Sequence, residues 1–243
     1  QYDNMNAFFR TNGYDEVFSQ ENYPADKVVN SFGVQDDFLY DYAIPVLNQR
    51  AATGEPFFAT LLSISNHPPY VIPPFFHPKT SEPETQIVEY ADWALRQFFE
   101  EARKQPWFDN TIFVLEGDHG KLVGDAECEL PESYNHIPLM IYSSRIHPEE
   151  KNTFGGQVDI QPTILGLLNI DYLQNNFGVD LLKEERPCMF YTADNMIVGR
   201  NDTLLYLYNY ETQQEFTYHI DNGKLKAVPM DDRFLPLKEY SFS

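Results

Sequence analysis

The stretch Thr111–Gly120, TIFVLEGDHG, constrains the fold more than any other part of the chain. Thr111–Leu115 is a short β-branched and apolar run, suited to a fully buried strand. Upstream, Pro56–Ser63 (PFFATLLS) reads as a second buried strand. Between them lies the clearest helix, Ser81–Lys104, where Ile87, Tyr90, Ala91, Ala94, Leu95, Phe98, Phe99 and Ala102 recur at i, i+3 and i+4. Ser81 and Glu84 fit a capping box, with Pro83 in the first turn. Strand, helix, strand is a parallel crossover, which places the ends of both strands on one edge of the sheet. Ligands gather outside the carboxyl ends of such strands. His67, in the stiff loop Ser65-Asn66-His67-Pro68-Pro69, and the pair Asp118–His119 are therefore expected to face one cleft.

The remaining elements extend this alternation. Asn4–Asn12 reads as a short helix stopped by Gly13, and Asp36–Ala52 as a helix kinked at Pro45. After the loop Lys121–Asn135 come a strand at His136–Tyr142 and a helix at Val158–Leu168 with Pro162 in its first turn. From Pro187 onward the pattern becomes β-rich: Pro187–Thr192, Thr203–Asn209, Glu215–Ile220 and Lys224–Val228 read as short strands, with Asn222-Gly223 a hairpin signal. The expected architecture is α/β, a doubly wound, mostly parallel sheet with a small antiparallel addition. The expected division is 1–185 for the α/β part and 186–243 for the addition.

Charge narrows the function. The formal net charge is −20, which argues against binding nucleic acid, whose backbone demands clustered Lys and Arg. No stretch approaches the roughly 18 apolar residues of a membrane span, and no signal peptide opens the chain. Beginning at Gln1, it reads as a processed or excised piece. Cys128 and Cys188 permit one disulfide or two free thiols.

Chemistry concentrates at a few positions. Asp118 and His119 place a carboxylate and an imidazole side by side, two good ligands for a divalent metal; a capped loop with a packed histidine is the plainer alternative. Two ligands are not a site, since a tetrahedral metal takes three or four. His67, held by the two prolines that follow it at low entropic cost, is placed to donate to an anionic oxygen or protonate a leaving group; a loop histidine hydrogen-bonded to backbone is the plainer alternative. Asn66 stands beside it. Lys121 would neutralise an anionic substrate, though a solvated lysine is the commoner outcome. His136 begins a strand, nearer the opposite edge, where a structural role is favoured. Glu116 is a strand-end carboxylate able to support a neighbouring ligand. The chain has no phosphate-binding glycine loop, no CxxC pair and no GxSxG elbow.

These residues carry a resemblance. The pieces NAFFRTNGYDEVF, SISNHPPY, YADWALRQFFEEARKQPWFDNTIFVLEGDHG, HIPLMIYSS, VDIQPTILGLLNI and FGVDLL, at Asn6 to Leu182, resemble in order the C-terminal part of sulfatase-like enzymes of the alkaline phosphatase superfamily. The closest likeness is to the lipoteichoic acid synthase and phosphoglycerol transferase branch. The resemblance implies one divalent cation (manganese, magnesium or zinc) on Asp118 and His119. It implies a substrate pocket that includes His67, and a phosphoester substrate, lipid-linked in that branch. Asn66, Lys121 and His136 are further substrate-side candidates. It also implies a nucleophile, with a further acidic metal ligand, and a membrane anchor on a preceding N-terminal stretch; neither Thr11 nor Thr60 has the nucleophile's context. The catalytic domain would lie outside the cytoplasm, at the cell surface or in the periplasm, and this piece alone would be inactive. Near Asp3–Asn6, where that branch places Trp and Arg, Asn4 and Asn6 stand instead, so a sulfate ester on a glycan remains an alternative substrate. A non-catalytic binding domain on the same scaffold is a second alternative. An uncovered sheet edge invites pairing, so a dimer or a covering segment is expected.

Overall fold

The structure, a computed structural model, describes residues 4–122 and 124–242. It divides into two compact units, Gln1–Phe113 with Ser143–Arg145, and Val114–Tyr142 with Ile146–Ser243. Helices and two short two-stranded pairs occupy the first two-thirds of the chain, and an antiparallel sheet follows.

The first unit is organised by two helices, α2 (Asp36–Ala51) and α3 (Pro83–Ala102), preceded by the short α1 (Met5–Thr11) and the small hairpin β1 (Val28–Asn30)–β2 (Gly33–Val34). The apolar stripe of α3 does what its periodicity dictates. Ile87, Tyr90, Ala94, Phe98 and Ala102 are buried. Phe98 and Ala102 pack with Leu47 of α2, Trp107 and Phe108. Trp107 Nε1 donates to Asn48 Oδ1 at 2.7 Å, so the indole buries its ring without stranding its N–H. The helix begins later than the capping box implies: Glu82 is the N-cap and makes no side-chain cap bond, with Pro83 opening the helix. The Thr80 hydroxyl donates instead to Glu89, which also receives the Lys79 and Thr80 amides.

Pro56–Ser63 departs from expectation. It belongs to no strand among the described residues, and Phe57, Phe58 and Leu62 are exposed, Phe58 at 79%. Its apolar run matches a buried strand, but burial needs a neighbour on each side, and the contacts found are few. Leu61 packs toward the α2–α3 core, and Thr60 shares a 2.7 Å hydrogen bond with Tyr14.

The second unit holds β3 (Phe113–Glu116, whose first residue belongs to the first unit), β4 (Leu139–Tyr142), α4 (Ile160–Leu167) and the antiparallel sheet. β3 pairs with β4; β3 keeps exposed positions rather than the full burial expected of it, and β4 is exposed as well. The antiparallel sheet runs β5 (Met189–Ala193), β6 (Met196–Arg200), β7 (Leu204–Asn209), β8 (Gln214–Asp221), β9 (Lys224–Ala227), each strand paired with the next, and α5 (Leu235–Phe242) follows. Asn222 and Gly223 both take positive φ, 48° and 74°, which closes the β8–β9 hairpin. β6 and α5 carried no sequence signal. In β6, Met196 and Val198 are buried with Leu130, Leu205, Leu207 and Tyr218, Val198 wholly so. The cysteines are free thiols.

A buried ion pair ties this unit together. Asp159, fully buried, accepts from Arg186 Nη2 and Val179 N at 2.7 Å through Oδ1 and from Gly156 N at 2.8 Å through Oδ2. Arg186, 12% exposed, also donates to Tyr240 Oη at 3.0 Å and to the Phe177 carbonyl at 2.6 Å. Removing one member of such a pair strands the other. Arg186→Met is expected to destabilise the unit by about 3 kcal/mol in urea titration. Lys183→Met, which removes a largely solvated ammonium (67% exposed) from Asp180, should shift stability by under about 1 kcal/mol.

Candidate functional site

In the second unit, β3 ends at Glu116 and the chain turns through Gly117-Asp118-His119-Gly120. Hydrogen bonds to neighbouring segments hold that turn. Gln157 Nε2 donates to the carbonyls of Gly117 (3.3 Å) and Asp118 (3.0 Å). The Gly120 N–H donates to the Tyr134 carbonyl at 2.8 Å. A Cβ at residue 120 would fall 2.0 Å from the Ser133 carbonyl oxygen, so only glycine permits this approach.

The turn aims two side chains outward. Asp118 Oδ1 accepts from the His119 N–H at 3.0 Å, leaving Oδ2 available. His119 Nδ1 stands 2.7 Å from the Gly120 carbonyl. A carbonyl only accepts, so Nδ1 carries the proton and the lone pair is on Nε2, the arrangement a ligating histidine needs. Nε2 and Asp118 Oδ2 are 3.8 Å apart, with the side chains 66% and 75% exposed. Two ligands about 2.1 Å from one metal at the tetrahedral angle stand roughly 3.4 Å apart. A small side-chain rotation closes the difference, so the pair fits two positions of a divalent cation's shell. No group of three or more His, Cys, Asp or Glu arranged to hold a metal is found among the described residues. Glu116, exposed at the end of β3, has its carboxyl pushed up by partial desolvation and then by the charge of Asp118.

His136 does not begin the strand, which starts at Leu139. It follows the turn Glu132–Tyr134, its N–H donating to the Glu132 carbonyl at 2.8 Å. It therefore stands two residues from the carbonyl that holds Gly120, not at the far strand edge. Lys121, partly buried, follows Gly120 directly.

In the first unit, the loop carrying Asn66 and His67 is held by α2. Asp36, almost fully buried at the start of that helix, accepts the N–H groups of Ile64 (3.1 Å) and Ser65 (3.0 Å) on Oδ1. Ser65 Oγ lies 2.7 Å from the same oxygen and accepts the Asp36 N–H at 3.0 Å. His67 follows with its N–H on the Ile64 carbonyl at 3.0 Å. Its Nδ1 is 2.7 Å from the Pro68 carbonyl, which again leaves Nε2 outward. Phe32 packs on the imidazole, ring centroids 4.2 Å apart. His67 and Asn66 are exposed. Asp36, Ser65 and Gln157 were missed as site-building residues; a serine just before the Asn-His pair and an acid opening a helix were the available signals. Of the Asp3–Asn6 neighbourhood, Asp3 lies outside the described residues. Asn4 precedes α1, and Asn6 accepts from Arg10 Nε at 2.9 Å.

The sulfatase family model matches residues 1–170. The chain belongs to the sulfatase family. It is 27% identical to lipoteichoic acid synthase 1 of Bacillus subtilis over 92% of its length and 37% of that protein. It is 26% identical to lipoteichoic acid synthase of Staphylococcus saprophyticus over 75% of its length and 31% of that protein. The chain thus spans about a third of these curated relatives. Among solved structures it is similar to a protein in the alkaline phosphatase superfamily from Vibrio parahaemolyticus, with a TM-score of 0.86 and 27% identity, covering 99% of this chain and 60% of that one. Lipoteichoic acid synthase LtaP from Listeria monocytogenes gives a TM-score of 0.77 at 22% identity over 98% of this chain and 66% of that one, a likeness of fold. The fold is that of the alkaline phosphatase superfamily.

Burial raises the Asp36 pKa above its ordinary value, against the opposing hydrogen bonds from Ser65 and Ile64. The folded protein thus keeps this proton where the unfolded chain has lost it. The stabilisation it contributes is full below the unfolded value and is lost as pH rises through the higher folded one. Asp36→Asn keeps an acceptor on the loop and should flatten that acid-range fall in stability, read by thermal melts from pH 3 upward. Asp36→Ala leaves the Ile64 and Ser65 amides unpaired and should cost about 2 kcal/mol at neutral pH.

Proposed function

We propose that this chain is part of a metal-dependent phosphotransferase that works on a phosphoester, in the manner of phosphoglycerol transferase, through a covalent intermediate. The observation that carries the reading is the Asp118–His119 pair, with Oδ2 and Nε2 converging at 3.8 Å and the tautomer fixed by Gly120. The similarity to lipoteichoic acid synthase 1 over nearly all of this chain supports the class of reaction.

In this reading Asp118 Oδ2 and His119 Nε2 hold one cation (manganese, magnesium or zinc). When bound, that cation supplies charge neutralisation at the ester oxygens and acidifies the attacking group. The Gly120 carbonyl holds the His119 proton on Nδ1 so that Nε2 stays a ligand. His67, oriented by Phe32 and the Pro68 carbonyl, offers Nε2 to an ester oxygen or a leaving group. Asn66 supplies a neutral donor beside it, and Lys121 and His136 supply cationic or donor groups near the turn. No nucleophile is assigned among these residues. Among the described residues no helix is long and apolar enough to cross a membrane; anchoring, an extracytoplasmic location and a lipid-linked substrate belong to the proposed whole protein, and so does a dimer. The match to the sulfatase family favours a second reading, a sulfate ester as the substrate. We retain 1–185 as the catalytic portion and 186–243 as its β-rich addition.

The full-length protein is expected to bind Mn²⁺ in calorimetry and to lose that binding in Asp118→Ala/His119→Ala. Its phosphoglycerol transfer should fall at least a hundredfold in the same variant. Persistence of both would refute the assignment. The isolated 243-residue chain is expected to give no turnover of an aryl phosphate. Faster release from an aryl sulfate than from an aryl phosphate by the full-length protein would favour the sulfatase reading.

A further inference from the structure

The turn bearing Asp118 and His119 is fastened to the antiparallel sheet. Its Gly120 N–H donates to the carbonyl of Tyr134, and Tyr134 closes the turn Glu132–Tyr134. The sheet takes hold at the first residue of that turn. Arg200, the last residue of β6, donates through Nε to Glu132 Oε1, and both side chains are about three-quarters buried. The same guanidinium stands 5.4 Å from the centroid of the Phe154 ring. The main-chain carbonyl of Glu132 accepts from Asn135 at 2.9 Å and His136 at 2.8 Å. Just upstream, Leu130 is buried in the sheet core with Val198, Leu205 and Leu207, and Tyr218 Oη donates to Glu129 at 2.6 Å.

We propose that the Glu132–Arg200 ion pair is a positioning device for Asp118 and His119, so that the cation affinity of the turn is set partly by a strand that carries neither ligand. The proposal rests on the reading of those two residues as cation ligands. A turn of exposed residues must lose conformational freedom when it closes on a cation. A turn already pinned at Gly120 has lost it before binding, and the preorganisation appears as affinity. The pinning carbonyl is itself held only as firmly as the Glu132 turn, and that turn is held by Arg200. Outer partners of metal ligands typically change affinity 10–100-fold.

The test uses the full-length protein with Mn²⁺ alone as the probe. Glu132→Gln and Arg200→Gln should each weaken Mn²⁺ binding about tenfold in calorimetry. The double variant should lose little more than either single one, because both break the same link. Arg200→Lys should recover part of the loss. Lys238→Gln serves as the comparison: it breaks the 2.7 Å pair with Glu215 on the same sheet, so it costs sheet stability but should leave Mn²⁺ affinity unchanged. A readout without metal separates this proposal from the reading beneath it. Hydrogen exchange at the Gly120 amide should quicken in Arg200→Gln and not in Lys238→Gln. Unaltered Mn²⁺ affinity in both Glu132→Gln and Arg200→Gln, a loss matched by Lys238→Gln, or unchanged Gly120 exchange would overturn the proposal. If the unaltered protein takes no Mn²⁺, the ligand reading fails and the affinity claim with it. Gly120 exchange then still decides whether the ion pair positions the turn.

Discussion

The hydrogen bond from the Gly120 N–H to the Tyr134 carbonyl is the constraint on which the rest of the second unit's site depends. It forces the two main chains so close that no Cβ fits at residue 120. The carbonyl of the same Gly120 fixes the His119 tautomer. The hydrogen bond also makes the geometry of two exposed side chains depend on a distant turn and on the sheet behind that turn. The pattern is physically economical. A ligand must reach solvent to meet a cation, so burial cannot hold it directly; burial holds its backbone instead.

The first unit solves the same problem with different groups. His67 is exposed, but the residues before it hang from Asp36, a carboxylate taken almost wholly out of water. Burying that carboxylate is costly, and the raised pKa reflects the cost. The hydrogen bonds from two main-chain amides and the Ser65 hydroxyl recover part of it. Asp159 plays the corresponding part further along the second unit, where it joins the start of α4 to Val179 and Arg186. At the His67 loop the carboxylate that builds the site is thus more deeply buried than the imidazole expected to do chemistry.

That division explains what was legible in the sequence. The exposed chemistry shows itself through residue type: Asp118, His119 and His67 stand out because carboxylates and imidazoles flanked by glycine or proline are few. α3 is legible because its burial is one-sided and repeats with the helical period, and the β8–β9 hairpin because Asn222-Gly223 has one favoured turn. Pro56–Ser63 misled because an apolar run reports that burial is suited, not which neighbour provides it. β6 was silent because Gly199 and Arg200 break its pattern, while Met196 and Val198 are buried by a cluster with Leu130, Leu205, Leu207 and Tyr218 that forms only in the fold. Glu132 and Asp159 were invisible for a further reason. Among 37 acidic residues, nothing local marks the few whose partners lie far along the chain.

The acidity of the chain bears directly on how an anionic ester could be accepted. A formal charge of −20 repels such a ligand at long range. Screening at physiological ionic strength confines that repulsion to about 8 Å, so the sign of the potential is decided by the nearest groups. Asp118 would add to the repulsion if it stood alone. Paired with His119 on a divalent cation, it would become part of a locally positive centre. Under the proposed function, the charge of Asp118 would thus make cation binding a condition for accepting a phosphoester at this turn.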